Sequence, residues 1–101
     1  MSKTAVFAKF TAAPGKRDEL VQALMPMLAS VESEAGTEIY AMHTADEDTV
    51  WFYEVYSDGD AFKAHSGGDA IKEAFTKTAG LVTGRPEVMI GQLQAAKGVA
   101  T

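Results

Sequence analysis

Apolar and polar positions alternate along the opening of the chain. Between Thr4 and Ala12, Val6, Ala8 and Phe10 fall on one face of an extended segment and Ala5, Phe7 and Lys9 on the other. Pro14-Gly15 ends that strand. The period then changes. Leu20, Leu24, Met27, Leu28, Val31 and Ala35 recur at helical spacing, which predicts an amphipathic helix from Lys16 to about Ala35. Pro26 lies inside it and predicts a kink, because an interior proline removes one backbone bond and costs about 3 kcal/mol in a straight helix. Gly36 is expected to close the helix as a left-handed cap.

Glu38 to Thr44 and Val50 to Tyr56 read as two strands joined by the acidic loop Ala45-Asp46-Glu47-Asp48, an antiparallel hairpin. Ser57-Asp58-Gly59-Asp60 supplies turn residues and helix-capping oxygens. A short helix from Ala61 to about His65 is interrupted at Ser66-Gly67-Gly68-Asp69. Asp69 can cap a third helix, Ala70 to Thr78, whose apolar positions are Ile71, Ala74 and Phe75. A connector leads to a last strand, Glu87 to Leu93. The order is β-α-β-β-α-β with the second α split, which predicts an α+β, ferredoxin-like domain: a four-stranded antiparallel sheet with helices on one face. The expected domain spans residues 1–94, with a flexible tail at 95–101.

The segment Thr49–His65 concentrates the chemistry. Trp51, Phe52, Tyr53 and Tyr56 are four of nine aromatic residues (one Trp, three Tyr, five Phe), and Glu54 stands among them. Trp51, Tyr53 and Val55 point one way, Val50, Phe52 and Tyr56 the other, so this strand is apolar on both faces. The first and last strands share the property, and one helix layer covers only one face. An uncovered apolar sheet face is rare on a soluble monomer. The expectation is a homodimer with stacked sheets.

Composition narrows the function. The 101 residues make one domain. The 9 Lys+Arg against 14 Asp+Glu leave a net charge of −5, so the chain has no basic surface for nucleic acid or an anionic membrane. It has no apolar run of transmembrane length and no signal-like opening, and a cytoplasmic protein is expected. With no cysteine, thiolate chemistry and disulfides are excluded. Two histidines without ligand spacing give no metal site, and neither a phosphate loop nor a nucleophile elbow is present, so no cofactor is expected.

His65 is the candidate proton-transfer residue, beside a Gly-Gly break that places it at a cleft; the structural alternative is a helix-end packing role. Glu54, mid-strand, either orients His65 or acts as a buried base; the structural alternative is an ion pair at the dimer interface, for example with Arg85 or Lys9. Tyr40, Trp51, Tyr53 and Phe75 are the candidate lining of a cavity for a planar aromatic or apolar ligand, with core packing as the alternative. His43 and Tyr40 point to opposite faces of their strand, so one of them joins His65.

The runs V-F-A-K-F-T-A-A-P-G-K-R-D-E-L, E-S-E-A-G-T-E-I-Y and F-Y-E-V-Y-S-D-G-D-A-F-K-A-H-S resemble the antibiotic biosynthesis monooxygenase family, from about Thr4 to Leu93. The resemblance implies a dimeric α+β barrel. It also implies kinship with cofactor-independent quinone-forming oxygenases, haem-degrading enzymes, signal-molecule isomerases and proteins without assigned activity. The haem-degrading branch uses a first-strand Asn, a Trp at the position of His65, and a haem-ligating His on the following helix. Here the first strand offers Lys9, and Ala70 to Thr78 contains no histidine. The function implied is a cofactor-independent monooxygenase acting on a hydroquinone- or anthrone-like aromatic, with His65 as base and Tyr40 or Tyr53 positioning the substrate oxygen. The alternatives are a non-catalytic dimeric ligand-binding module and a proton-transfer isomerase.

Overall fold

Four strands and three helices follow one another in a computed structural model that describes residues 2–101. They are β1 (Thr4–Thr11), α1 (Arg17–Ser30) with a following 3-10 turn (Val31–Ser33), β2 (Thr37–Ala45), β3 (Thr49–Tyr56), α2 (Gly59–Ser66), α3 (Asp69–Thr78) and β4 (Glu87–Gln92). The strands form one antiparallel sheet in the order β2-β3-β1-β4. This is the ferredoxin-like α+β arrangement that the alternation and helical periods predict, with the second helical unit divided into α2 and α3.

Local chemistry sets the boundaries. Asp46 takes the left-handed conformation that Asp tolerates (φ 47°), and its Oδ1 accepts from the Asp48 N–H at 3.2 Å, which tightens the β2–β3 turn. Pro26 lies inside α1 on its exposed side, as does Gln22 one turn earlier, so the carbonyl left without a partner can face water. Three expectations need correction. The α-helix stops at Ser30, and the chain tightens through Glu34 N–H to Val31 O (2.9 Å) and Thr37 N–H to Glu34 O (3.0 Å). Gly36 is not left-handed; a Cβ there would stand 2.5 Å from the Ala61 Cβ, so glycine lets α2 dock against the start of β2. Asp69 is the first residue of α3 rather than its cap, which is Gly68.

One face of the sheet meets the helices. Ala8, Val50 and Phe52 pack there against Leu20, Leu24 and Met27 of α1 and Ala74 of α3. The other face carries no helix. In register across it run Met89, Phe7, Tyr53 and Ala41, and beside them Glu87, Lys9, Trp51 and His43. Phe7 is 38% exposed and Met89 72%. Val88 and Ile90 point toward the helix side with Ala8 and Val6, yet both are more than half exposed because β4 is an edge beyond the reach of the helices.

Phe52 is 2% exposed at the centre of the core, and Met25 is 46% exposed on α1. Phe52→Ala is expected to lose about 3–5 kcal/mol of unfolding free energy in urea. Met25→Ala is expected to change it by less than about 0.5 kcal/mol. Equal losses at the two positions would contradict this assignment of the core.

Candidate active site

The first turn of α2 is fixed by Asp58, whose Oδ1 accepts from the Ala61 N–H at 2.8 Å, and by the close approach of Ala61 to Gly36. Its last turn carries His65, only 5% exposed. The imidazole lies between two phenol rings, with centroids 5.3 Å from Tyr40 and 5.4 Å from Tyr56. His65 Nδ1 is 2.9 Å from Glu34 Oε1, which also accepts from the Thr37 hydroxyl at 2.7 Å. A carboxylate oxygen only accepts, so Nδ1 carries a proton, and in the neutral ring the lone pair is on Nε2. Nε2 has no protein partner among the described residues.

His65 lines a cavity of about 150 Å³ between the sheet and the helices. Val6, Ala8 and Phe52 form its floor, Leu24 and Met27 one wall, Ile71, Ala74 and Phe75 another. Its rim is at Phe75 and Val88, both about half exposed. Apolar cavities of this size admit one aromatic ring. Few polar side chains reach it, chiefly Tyr40, Glu54 and His65; Thr78 is satisfied by the Ala74 carbonyl at 2.9 Å.

Glu54 is 5% exposed and accepts a short hydrogen bond, 2.5 Å, from the Tyr56 hydroxyl. It forms no ion pair among the described residues. Burial raises its carboxyl above the ordinary value of 4.5, against the opposing pull of the Tyr56 bond and of His65. Burial also raises both phenols: Tyr40 with help from the charges of Glu54 and Glu34, and Tyr56 with help from its bond to Glu54.

The structure thus brings His65, Glu54, Tyr40 and Phe75 to one cavity. Trp51 and Tyr53 lie on the opposite face of the sheet, because strand alternation places them out of phase with Phe52 and Glu54. His43 shares that open face, stacked on Trp51 at 3.8 Å and 10°, with Nδ1 at 3.3 Å from the Trp51 carbonyl. Lys9 is also there, 3.9 Å from Glu87, so the proposed Glu54–Lys9 pair does not form; nor does one with Arg85. Sequence reasoning missed Glu34 and the pairing of Tyr56 with Glu54. The bond between Tyr56 and Glu54 was available from their spacing, since residues two apart on a strand share a face. Glu34 had no such signal. Among the described residues no group of three or more His, Cys, Asp or Glu side chains gathers to hold a metal, and no helix is long and apolar enough to cross a membrane.

Fold and site together define a class. The profile described as antibiotic biosynthesis monooxygenase matches residues 4–77, and the chain belongs to that family. Among solved structures it is similar to a protein of unknown function from Nitrosomonas europaea, at 26% identity over 100% of this chain and 98% of that one, TM-score 0.88. It is also similar to a protein from Shewanella oneidensis (26% identity, 91% of each chain, TM-score 0.83). A candidate antibiotic biosynthesis monooxygenase from Caulobacter crescentus matches at 25% identity over 95% of this chain and 92% of that one, TM-score 0.84. No curated protein matches significantly.

The raised carboxyl of Glu54 has a consequence for stability. A proton held more tightly in the folded than in the unfolded state adds stability that is fully present below 4.5 and lost as pH rises through the folded value. Glu54→Gln keeps an oxygen for Tyr56 and removes the ionisation. Relative to wild type, the variant should therefore gain stability steadily as the pH of urea denaturation is raised from acid to neutral. Parallel stability curves for the two proteins would contradict the buried-carboxyl assignment.

Proposed function

We propose that the protein is a small oxygenase that uses molecular oxygen directly on an electron-rich aromatic of the hydroquinone or anthrone type. The observation that carries this reading is His65, held through Nδ1 by Glu34 with Nε2 bare at an apolar, ring-sized cavity. Nε2 removes a proton from a phenol O–H or an activated C–H. The resulting anion passes one electron to O2, and the radical and superoxide combine to form a C–O bond. At an activated CH2, the protonated peroxide then loses its O–O bond as the second C–H proton leaves. The CH2 becomes C=O and the other oxygen atom leaves as water, four electrons passing from carbon to O2. The protein supplies a base, orientation and a dry site. Family membership and the candidate monooxygenase from Caulobacter crescentus support the reading.

A proton-transfer isomerase would use the same base, and the carboxyl of Glu54 facing the cavity with His65 favours it as the second reading. A pure binding module would show neither activity. Oxygen uptake across a panel of hydroquinones and anthrones separates them: the oxygenase reading requires consumption of one O2 per product. His65→Ala is expected to lower kcat by about 10²–10⁴-fold with binding retained. Unchanged turnover in that variant would remove His65 from the mechanism.

We also propose that a second copy of the chain covers the open sheet face, because Met89, Phe7, Tyr53 and Trp51 form there an apolar surface that the helices do not reach. Sedimentation should give a dimer at micromolar concentration, and Met89→Glu should weaken it to a folded monomer. A folded wild-type monomer under those conditions would contradict the proposal.

A further inference from the structure

Glu54 is a buried carboxyl with no Lys or Arg beside it. The groups facing it can be named from every neighbouring element. Tyr56 on its own strand donates to Oε1; Val6 of β1 and Tyr40 of β2 are its cross-strand neighbours; His65 approaches from α2 with Nδ1 already given to Glu34. No Lys or Arg lines the cavity. Oε2 has no hydrogen-bond partner among the described residues, while the carboxyl borders the cavity. An ionised carboxylate in these surroundings would have one hydroxyl donor and apolar walls, whereas a protonated one has a second O–H that needs an acceptor.

We infer that Glu54 acts as an uncharged carboxylic acid that donates from Oε2 to a carbonyl oxygen of the bound ligand, so that it selects neutral aromatics bearing both a carbonyl and an acidic O–H or C–H. The carbonyl meets Glu54 and the acidic group meets His65 Nε2. This rests on the cavity being the ligand site, as in the reading above, and adds the element of recognition that reading lacks. An acid and a base on one cavity divide the two roles of proton chemistry between them: Glu54 stabilises charge developing on the carbonyl oxygen while His65 takes the proton. A carboxylate ligand is disfavoured, because no Lys or Arg lines the cavity. Burial that raises the Glu54 carboxyl is consistent with this role.

The test is equilibrium binding to the full chain without oxygen, using acetophenone, phenol and para-hydroxyacetophenone as probes. Para-hydroxyacetophenone should bind about tenfold more tightly than phenol, the gain of one further hydrogen bond. Glu54→Gln should preserve that ratio, because its amide oxygen still accepts from Tyr56 and its N–H still donates inward. Glu54→Leu should abolish the ratio. Acetophenone affinity should fall by about tenfold as pH rises through the Glu54 titration in wild type and stay flat in Glu54→Gln. A ratio that survives in Glu54→Leu, or is lost in Glu54→Gln, would overturn the inference, as would pH-independent acetophenone binding in wild type. These measurements contain no turnover, so an absence of oxygen uptake bears on the oxygenase reading alone.

Discussion

A single hydrogen bond between the end of the first helical segment and the end of the second holds the candidate site in place. Glu34 leaves the 3-10 turn after α1, and His65 closes α2; their contact at 2.9 Å ties two elements 31 residues apart across the edge of the sheet. The Thr37 hydroxyl steadies the same carboxylate oxygen. Gly36 makes the approach possible, since any side chain there would push Ala61 and all of α2 outward. The imidazole is thereby fixed in ring orientation and in tautomer, with its basic nitrogen free.

The second constraint is the sheet itself. Its helix-facing side supplies both the densest core, around Phe52 and Leu20, and the floor of the cavity. The cavity lies toward the rim, where the helices no longer fill the space above β1 and Phe75 and Val88 stand half exposed. Burial in that apolar space raises the carboxyl of Glu54 and leaves the phenols of Tyr40 and Tyr56 protonated. Site chemistry and core packing are therefore two uses of one apolar layer.

The fold was legible because it rests on periodicity. Alternation in β1 and β3 and the Leu20–Leu24–Met27 stripe of α1 are local patterns that the packing reinforces. The site was legible where the residue type was rare and its face could be inferred: His65, Glu54 and Tyr40 meet as their strand and helix positions allow. Trp51 and Tyr53 were misplaced by weighing aromatic character over strand parity, which sets them opposite Phe52. Choosing between Tyr40 and His43 required knowing which face of the sheet the helices cover. Glu34 was hidden for a deeper reason. It reaches His65 only because α1 gives way to a tighter turn before the predicted end, and the partner it meets lies 31 residues further on, beyond any local pattern.

The state of the His65 ring is read by nitrogen NMR of the imidazole without reference to any substrate. The neutral ring should carry its proton on Nδ1, toward Glu34, with Nε2 bare. In Glu34→Ala, which removes the acceptor at Nδ1, the proton should shift toward Nε2. A wild-type His65 protonated on Nε2, or one indifferent to the change at Glu34, would contradict the clamp and the base that it presents to the cavity.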